Sequence, residues 1–205
     1  AAVSDISDSD AATNNVNEDA AIGTSVGITA FASDADGTAT VAYSLSDDAG
    51  GRFAIDATTG EVTVASALDR ETAASYGIEV IATSSDGSTS ERSYTIALND
   101  VDEFDVSPVT DSDASANTLA ENASAGKKVG VMAHASDADA TNSAISYSVD
   151  DSRFVVDTNG TVRVAAGASF DYETETSIDI NVTATSQDGP SSSQTFTPAL
   201  PDITE

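Results

Sequence analysis

Carboxylates at repeated spacing are the groups in this chain best equipped to do chemistry. Glu18, Asp34-Ala35-Asp36, Asp69-Arg70-Glu71 and Asp86-Gly87 return in the same order, about a hundred residues on, as Glu121, Asp137-Ala138-Asp139, Asp171-Tyr172-Glu173 and Asp188-Gly189. Two chemistries use acids in sets. One is glycoside hydrolysis, in which an acid and a base flank a single bond. The other is coordination of a hard cation: calcium takes roughly six to eight oxygen ligands at about 2.3–2.6 Å, so carboxylates from several segments must converge. A set that recurs in two copies suits bound metal better than one catalytic pair, and no nucleophile with a base and an orienting partner is visible. The chain therefore reads as a binding protein and not as an enzyme, with no catalytic residue.

Composition points the same way. With 35 Asp and Glu against 7 Lys and Arg, the formal net charge is -28. No basic patch is available to neutralise a phosphate backbone, which excludes nucleic acid as a partner and leaves cations as the natural one. Hydrophobic residues make up 40% of the chain and alternate in short runs, unlike an acidic disordered tail. Cysteine is absent, so neither a disulfide framework nor a thiolate metal site can form. No apolar stretch approaches membrane-spanning length and no basic-then-apolar leader opens the sequence. The segment is expected to stay out of membranes and to be an internal piece of something longer.

The acids need a scaffold, and the apolar pattern supplies strands. Period-two alternation runs through Val26, Ile28 and Ala30, through Val41, Tyr43 and Leu45, through Phe53 and Ile55, and through Val62 and Val64. It resumes at Tyr76, Ile78, Val80 and Ala82 and at Tyr94, Ile96 and Leu98, with a short strand near Val16. Turn signals such as Ala57-Thr58-Thr59-Gly60 and Thr158-Asn159-Gly160 separate the runs. About seven short strands in a hundred residues describe a β-sandwich. Apolar segments repeat with the acids, Tyr43-Ser44-Leu45 as Tyr147-Ser148-Val149 and Phe53-Ala54-Ile55-Asp56 as Phe154-Val155-Val156-Asp157. The reading is all-β: two tandem seven-stranded sandwiches, residues 1–103 and 104–205. The first closes in an acidic linker at 99–104 and the second in a similar motif at 202–205. In each, a Glu near the start, an Asp-x-Glu after the fifth strand and the acids at the end can converge at one pole. The Asp-x-Asp after the second strand lies at the other.

Here the residues carry a family resemblance that covers nearly the whole chain. Glu18-Asp19-Ala20, Gly23-Thr24, Ala32-Ser33-Asp34-Ala35-Asp36, Tyr43-Ser44, Phe53 through Gly60, Leu68-Asp69-Arg70-Glu71 and Val80-Ile81-Ala82 resemble, in order and spacing, the signatures of a cadherin repeat. Asn99-Asp100-Val101-Asp102-Glu103 resembles the linker that ends one. The resemblance implies Greek-key sandwiches of immunoglobulin-like architecture with calcium at the joint between repeats. Its ligands would be Glu18, Asp69 and Glu71 from the first repeat, Asp100, Asp102 and Glu103 from the linker, and Asp137 and Asp139 from the second repeat. The abundance of Ala, Ser, Thr and Asp, with no Cys or Trp, is most like bacterial cadherin-like domains of large surface or secreted proteins.

Departures from the family pattern also stand in the sequence. The Asp expected two residues after the last-but-one strand's Ala is Ser84 in one copy and Ser186 in the other, with Asp86 and Asp188 two residues further on as substitutes; Asp188 joins the ligand set on that ground. Phe104 stands where an asparagine is usual, and Glu103 where an aspartate is. Aligning Asp8 with Asp111 makes Asp34 and Asp36, like Glu121, Asp171 and Glu173, half-sites awaiting a neighbouring repeat. Asp34 to Gly37 hints at an EF-hand, but Thr38, Ala39 and Leu45 occupy positions that need a ligand, a glycine and a bidentate glutamate, so that reading is rejected. His134, the single histidine, is expected to pack or face solvent. The functional expectation is an extracellular or cell-surface calcium-binding module, rigidified by Ca2+ and serving adhesion or spacing. Its partners would be neighbouring repeats, the same module on another cell, or a polysaccharide. The alternative is a calcium-dependent carbohydrate-binding module of a polysaccharide-degrading system, which the lack of tryptophan disfavours.

Overall fold

Alternating burial along each strand produces two faces, and each apolar face needs a partner. The computed structural model of the chain describes residues 1–36 and 38–203, and no helix occurs among them. Packing divides the chain into two units, Ala1–Val101 and Asp102–Glu205.

Unit 1 contains β1 (Ser7–Asp8), β2 (Asn15–Asn17), β3 (Ser25–Phe31), β4 (Val41–Asp47), β5 (Phe53–Ile55), β6 (Glu61–Val64), β7 (Ser75–Ser84) and β8 (Thr89–Asn99). One sheet has the order β1-β3-β6-β5 and the other β2-β8-β7-β4. All pairs are antiparallel except β2 with β8, where Val16 lies beside Leu98. The strand at Ser7–Asp8 is the one the apolar pattern does not reveal, because it is too short and polar to alternate. The leading segment thus pairs first with β3 in one sheet and then with β8 in the other, covering an edge of each. Val26, Ile28 and Ala30 of β3 face Ile78, Val80 and Ala82 of β7 and Tyr94, Ile96 and Leu98 of β8 in a single core.

Unit 2 repeats the plan with β9 (Thr110–Asp111), β10 (Lys128–His134), β11 (Ile145–Val149), β12 (Phe154–Val156), β13 (Thr161–Val164), β14 (Ile180–Ser186) and β15 (Ser191–Phe196). Its sheets are β12-β13-β10-β9 and β11-β14-β15. The counterpart of β2 shrinks to a single parallel bridge from Thr118 to Ala199. Val129, Val131 and Ala133 pack with Ile180, Val182 and Ala184 in the second core.

The turns before β6 and β13 hold the sheets to their register. Gly60 and Gly160 have φ of 76° and 84°. A Cβ at Gly60 would meet the Ala30 carbonyl oxygen at 2.2 Å, and one at Gly160 would meet that of Ala133 at 1.9 Å. Those carbonyls belong to β3 and β10, so the clash is with sheet backbone that cannot step aside. Gly160→Ala should destabilise unit 2 by at least about 2 kcal/mol through combined strain and displacement. Urea unfolding in calcium-free buffer measures it, and an unchanged midpoint would remove the turn from this role.

Candidate metal centre

Glu18 follows β2 and is 4% exposed, a depth at which a carboxylate needs partners. Its Oε1 accepts the Val101 amide at 2.9 Å and its Oε2 accepts the Arg70 amide. One buried side chain therefore ties the Asp69-Arg70-Glu71 turn to the segment leaving β8. A carboxylate oxygen of Glu71 comes within 4.8 Å of one of Glu18. Asp69 is exposed; its Oδ1 and Oδ2 accept the Thr72 amide and hydroxyl, both at 2.7 Å, and that hydroxyl above all holds the Asp69 carboxyl below its ordinary value. Asp100 is half-buried beside them in sequence. Unit 2 rebuilds this end: Glu121 Oε1 accepts the Ile203 amide at 2.8 Å and Oε2 the Tyr172 amide at 3.0 Å. Of the motif expected at 202–205, Thr204 and Glu205 lie outside the described residues.

At the other end of unit 1, the Asp-x-Asp loop is pinned from both sides. The Tyr43 hydroxyl accepts the Ala32 amide at 2.9 Å, and Ser4 exchanges bonds with Ser33 at 2.8 and 3.0 Å. Asp34 Oδ1 then accepts the Asp36 amide at 2.9 Å, which holds the Asp34 carboxyl below its ordinary value. Oxygens of Asp34, Asp36 and Asp86 lie within 4.8 Å of one another, and the Asp34 side chain is fully covered with Oδ2 lacking a hydrogen-bond partner.

Unit 2 has the same pins, Tyr147 accepting the Ala135 amide at 3.0 Å and Ser107 bonding Ser136 at 2.8 and 2.9 Å. Asp139 is 4% exposed. Its Oδ1 accepts the Glu103 and Phe104 amides at 3.2 and 3.3 Å, and burial pushes its carboxyl above the ordinary value despite those donors. Oxygens of Asp102, Asp139 and Asp188 lie within 4.8 Å of one another. Asp137 stands two residues from Asp139 and accepts its amide at 3.2 Å. The outer oxygens of Asp137 and Asp139 and both oxygens of Asp188 are buried without a hydrogen-bond partner. Such a group of carboxylates offers several open lone pairs to one point and fits a hard divalent cation.

Of the sequence-derived ligands, the structure brings together Glu18 with Glu71 in unit 1 and Asp102, Asp139 and Asp188 in unit 2. Glu103 contributes a backbone amide to Asp139, while Phe104 gives its amide and leaves its ring 42% exposed. His134 is exposed. The sequence reading did not anticipate that Tyr43 and Tyr147 anchor the loops through their hydroxyls. Their repetition was the available signal, but it read as apolar alternation.

Two carboxylates should respond oppositely when tested without calcium. Glu18→Ala strands two amides and should cost roughly 2 kcal/mol in chelator. Asp188→Asn removes a buried charge that nothing in the protein cancels, and should raise stability in chelator by about 1 kcal/mol. Paired thermal melts in chelator measure both; a fall for Asp188→Asn would mean that its charge is already balanced.

Comparison with known proteins places this geometry. Residues 13–99 match the Cadherin domain. Rat (Rattus norvegicus) Cadherin-17 is 44% identical over 91 residues, 43% of this chain and 11% of that protein. Human (Homo sapiens) Protocadherin Fat 4 is 36% identical over 150 residues, 70% of this chain and 3% of that protein. The chain thus spans only a small part of these relatives. Among solved structures, mouse Cadherin-23 EC22-24 superposes with a TM-score of 0.68 at 28% identity, covering 92% of this chain and 62% of that one. Drosophila N-cadherin EC1-4 gives 0.75 at 23%, covering 92% and 47%. The chain is an all-β protein of cadherin fold, and the match to the Cadherin domain covers its residues 13–99.

Proposed function

We propose that this chain is a calcium-binding pair of cadherin repeats from a longer extracellular protein, acting in adhesion or as a spacer. The observation that carries the reading is the Asp102, Asp139 and Asp188 cluster, in which Asp139 Oδ2 and both Asp188 oxygens are buried without a hydrogen-bond partner. In this reading Glu18, Asp69, Glu71 and Asp100 of unit 1 and Asp102, Glu103, Asp137, Asp139 and Asp188 of unit 2 serve one set of calcium ions, which stiffen the chain between neighbouring repeats. Relatives that match include the animal proteins Cadherin-17 and Protocadherin Fat 4. A bacterial surface-protein setting rests on composition alone. Carbohydrate binding would call for an exposed aromatic platform, whereas Tyr43, Phe53, Tyr94 and Phe154 are core residues and the exposed Phe31 and Phe104 stand one in each unit. No helix among the described residues is long and apolar enough to cross a membrane.

Calcium that binds the native state alone stabilises it by roughly 2.7 kcal/mol per site at a hundredfold excess over the dissociation constant. Melting should rise clearly in millimolar calcium and fall in chelator at fixed ionic strength. A curve indifferent to calcium sinks the proposal. Ligand placement is tested by calorimetry: Glu71→Gln and Asp100→Asn should lose calcium affinity strongly and Asp202→Asn little, since Asp202 belongs to the motif after the second repeat. Small-angle scattering should show a narrower, more elongated particle in calcium than in chelator. Identical curves would remove the mechanical role while leaving binding intact.

A further inference from the structure

The two Asp-Gly turns that bring the substitute aspartates to their clusters differ at the residue after the glycine, besides Ser85 standing where the second has Gln187. Where the first reads Asp86-Gly87-Ser88, the second reads Asp188-Gly189-Pro190. The backbone is otherwise alike: Gly87 donates to the Ser84 carbonyl at 2.9 Å and Gly189 to that of Ser186 at 3.2 Å, and the Ser84 and Ser186 amides donate to residues 88 and 190, both at 2.9 Å. In unit 1, Asp86 Oδ1 accepts both the amide of Ser88 at 2.9 Å and its hydroxyl at 2.8 Å, and those bonds hold the carboxyl below its ordinary value. Proline offers neither an N–H nor a hydroxyl. Both oxygens of Asp188 are accordingly buried without a partner.

We propose that Pro190 sets the calcium affinity of the unit 2 cluster by leaving both Asp188 oxygens open to the ion, so that Asp188 takes over the ligand role of the aspartate that Ser186 replaces. The inference rests on the calcium reading above and adds the device that makes a displaced ligand work. An oxygen already accepting two donors has little lone-pair capacity left for a metal. A carboxylate held in a dry place with no donor is costly in the metal-free state, so an arriving cation gains most there. Asp139 strengthens the case: it is 4% exposed, its Oδ2 has no donor, and an oxygen of it lies within 4.8 Å of one from Asp188. Pro190 is thus a positioning residue that never touches the ion, and the Asp34, Asp36 and Asp86 cluster, with Ser88 engaged, is the weaker of the two.

Calcium titration of the whole chain followed by amide NMR resolves the clusters, reading Gly189 and Asp139 for unit 2. Pro190→Ser should shift the midpoint of those signals to roughly tenfold higher calcium, the equivalent of about 1.4 kcal/mol. Pro190→Ala, which restores the amide without the hydroxyl, should fall between. Asp188→Asn should abolish the response at Gly189, and Ser186→Asp added to Asp188→Asn should restore it. Equal midpoints in wild type, Pro190→Ala and Pro190→Ser, with unchanged melting in chelator as proof of folding, would overturn the role of Pro190. Failure of the wild-type signals to move at all would instead overturn the calcium reading on which it rests.

Discussion

Uncancelled negative charge in buried places is the constraint around which the rest of this protein is organised. A carboxylate out of water needs donors, an opposite charge or a metal, and the cost of having none is several kilocalories before relaxation. The protein meets that demand in two different ways. Glu18 and Glu121 are satisfied by backbone amides from two segments each. Asp137, Asp139 and Asp188 are left with open oxygens. The first way makes an acid a structural clamp, whether or not it also lends a lone pair to a metal; the second makes, in the calcium reading proposed above, receptors for a cation. Arginines do not fill the gap in unit 2, because Arg153 is engaged by Asp151 and Glu175, and Arg163 by Asp157.

The clamps and receptors are placed by the same strands but do not depend on the same energy. Each unit has its own apolar core, and the fully buried Val and Ile side chains contribute roughly 1.5–3 kcal/mol apiece. The acids sit on the connections, after β2, β3 and β6, between β7 and β8, and in the matching places of unit 2. The sandwich can therefore hold like charges close together because its stability comes from elsewhere. With a net charge of -28, the repulsion is a standing load that cations relieve.

Much of this was legible in the sequence because β-structure writes its burial pattern at period two. Ile78, Val80 and Ala82 alternate in the sequence and in the core alike. The acids were legible because they repeat in register. Two kinds of feature were not. Ser7–Asp8 pairs with β3, and Asp8 accepts the Thr29 amide there as Asp111 accepts that of Met132, but a strand of two polar residues leaves no apolar alternation to read. The hydroxyls of Tyr43 and Tyr147 act at loops distant in sequence, and a tyrosine at an inward position gives no sign that its polar end has a separate task. Asp56 and Asp157 show the converse: they repeat like ligands, but their oxygens accept amides of their own turns, those of Thr58 and Thr59 and of Asn159 and Thr161.

That last contrast orders the acids by how many oxygens their own turns leave open, a physical criterion that spacing lacks. An aspartate followed two residues later by an available amide or hydroxyl closes an Asx-type turn and spends an oxygen on it. Asp56, Asp86 and Asp157 do so, and Asp69 does the like with Thr72, three residues on. An aspartate whose second neighbour is proline cannot, and Asp188 is the example. Two units that share an acid pattern can then differ in the oxygens they leave open through a residue that is not itself an acid, while the fold, which answers to the apolar pattern, stays the same. The acid pattern stands twice in the sequence, and the donors around each copy decide which oxygens stay open.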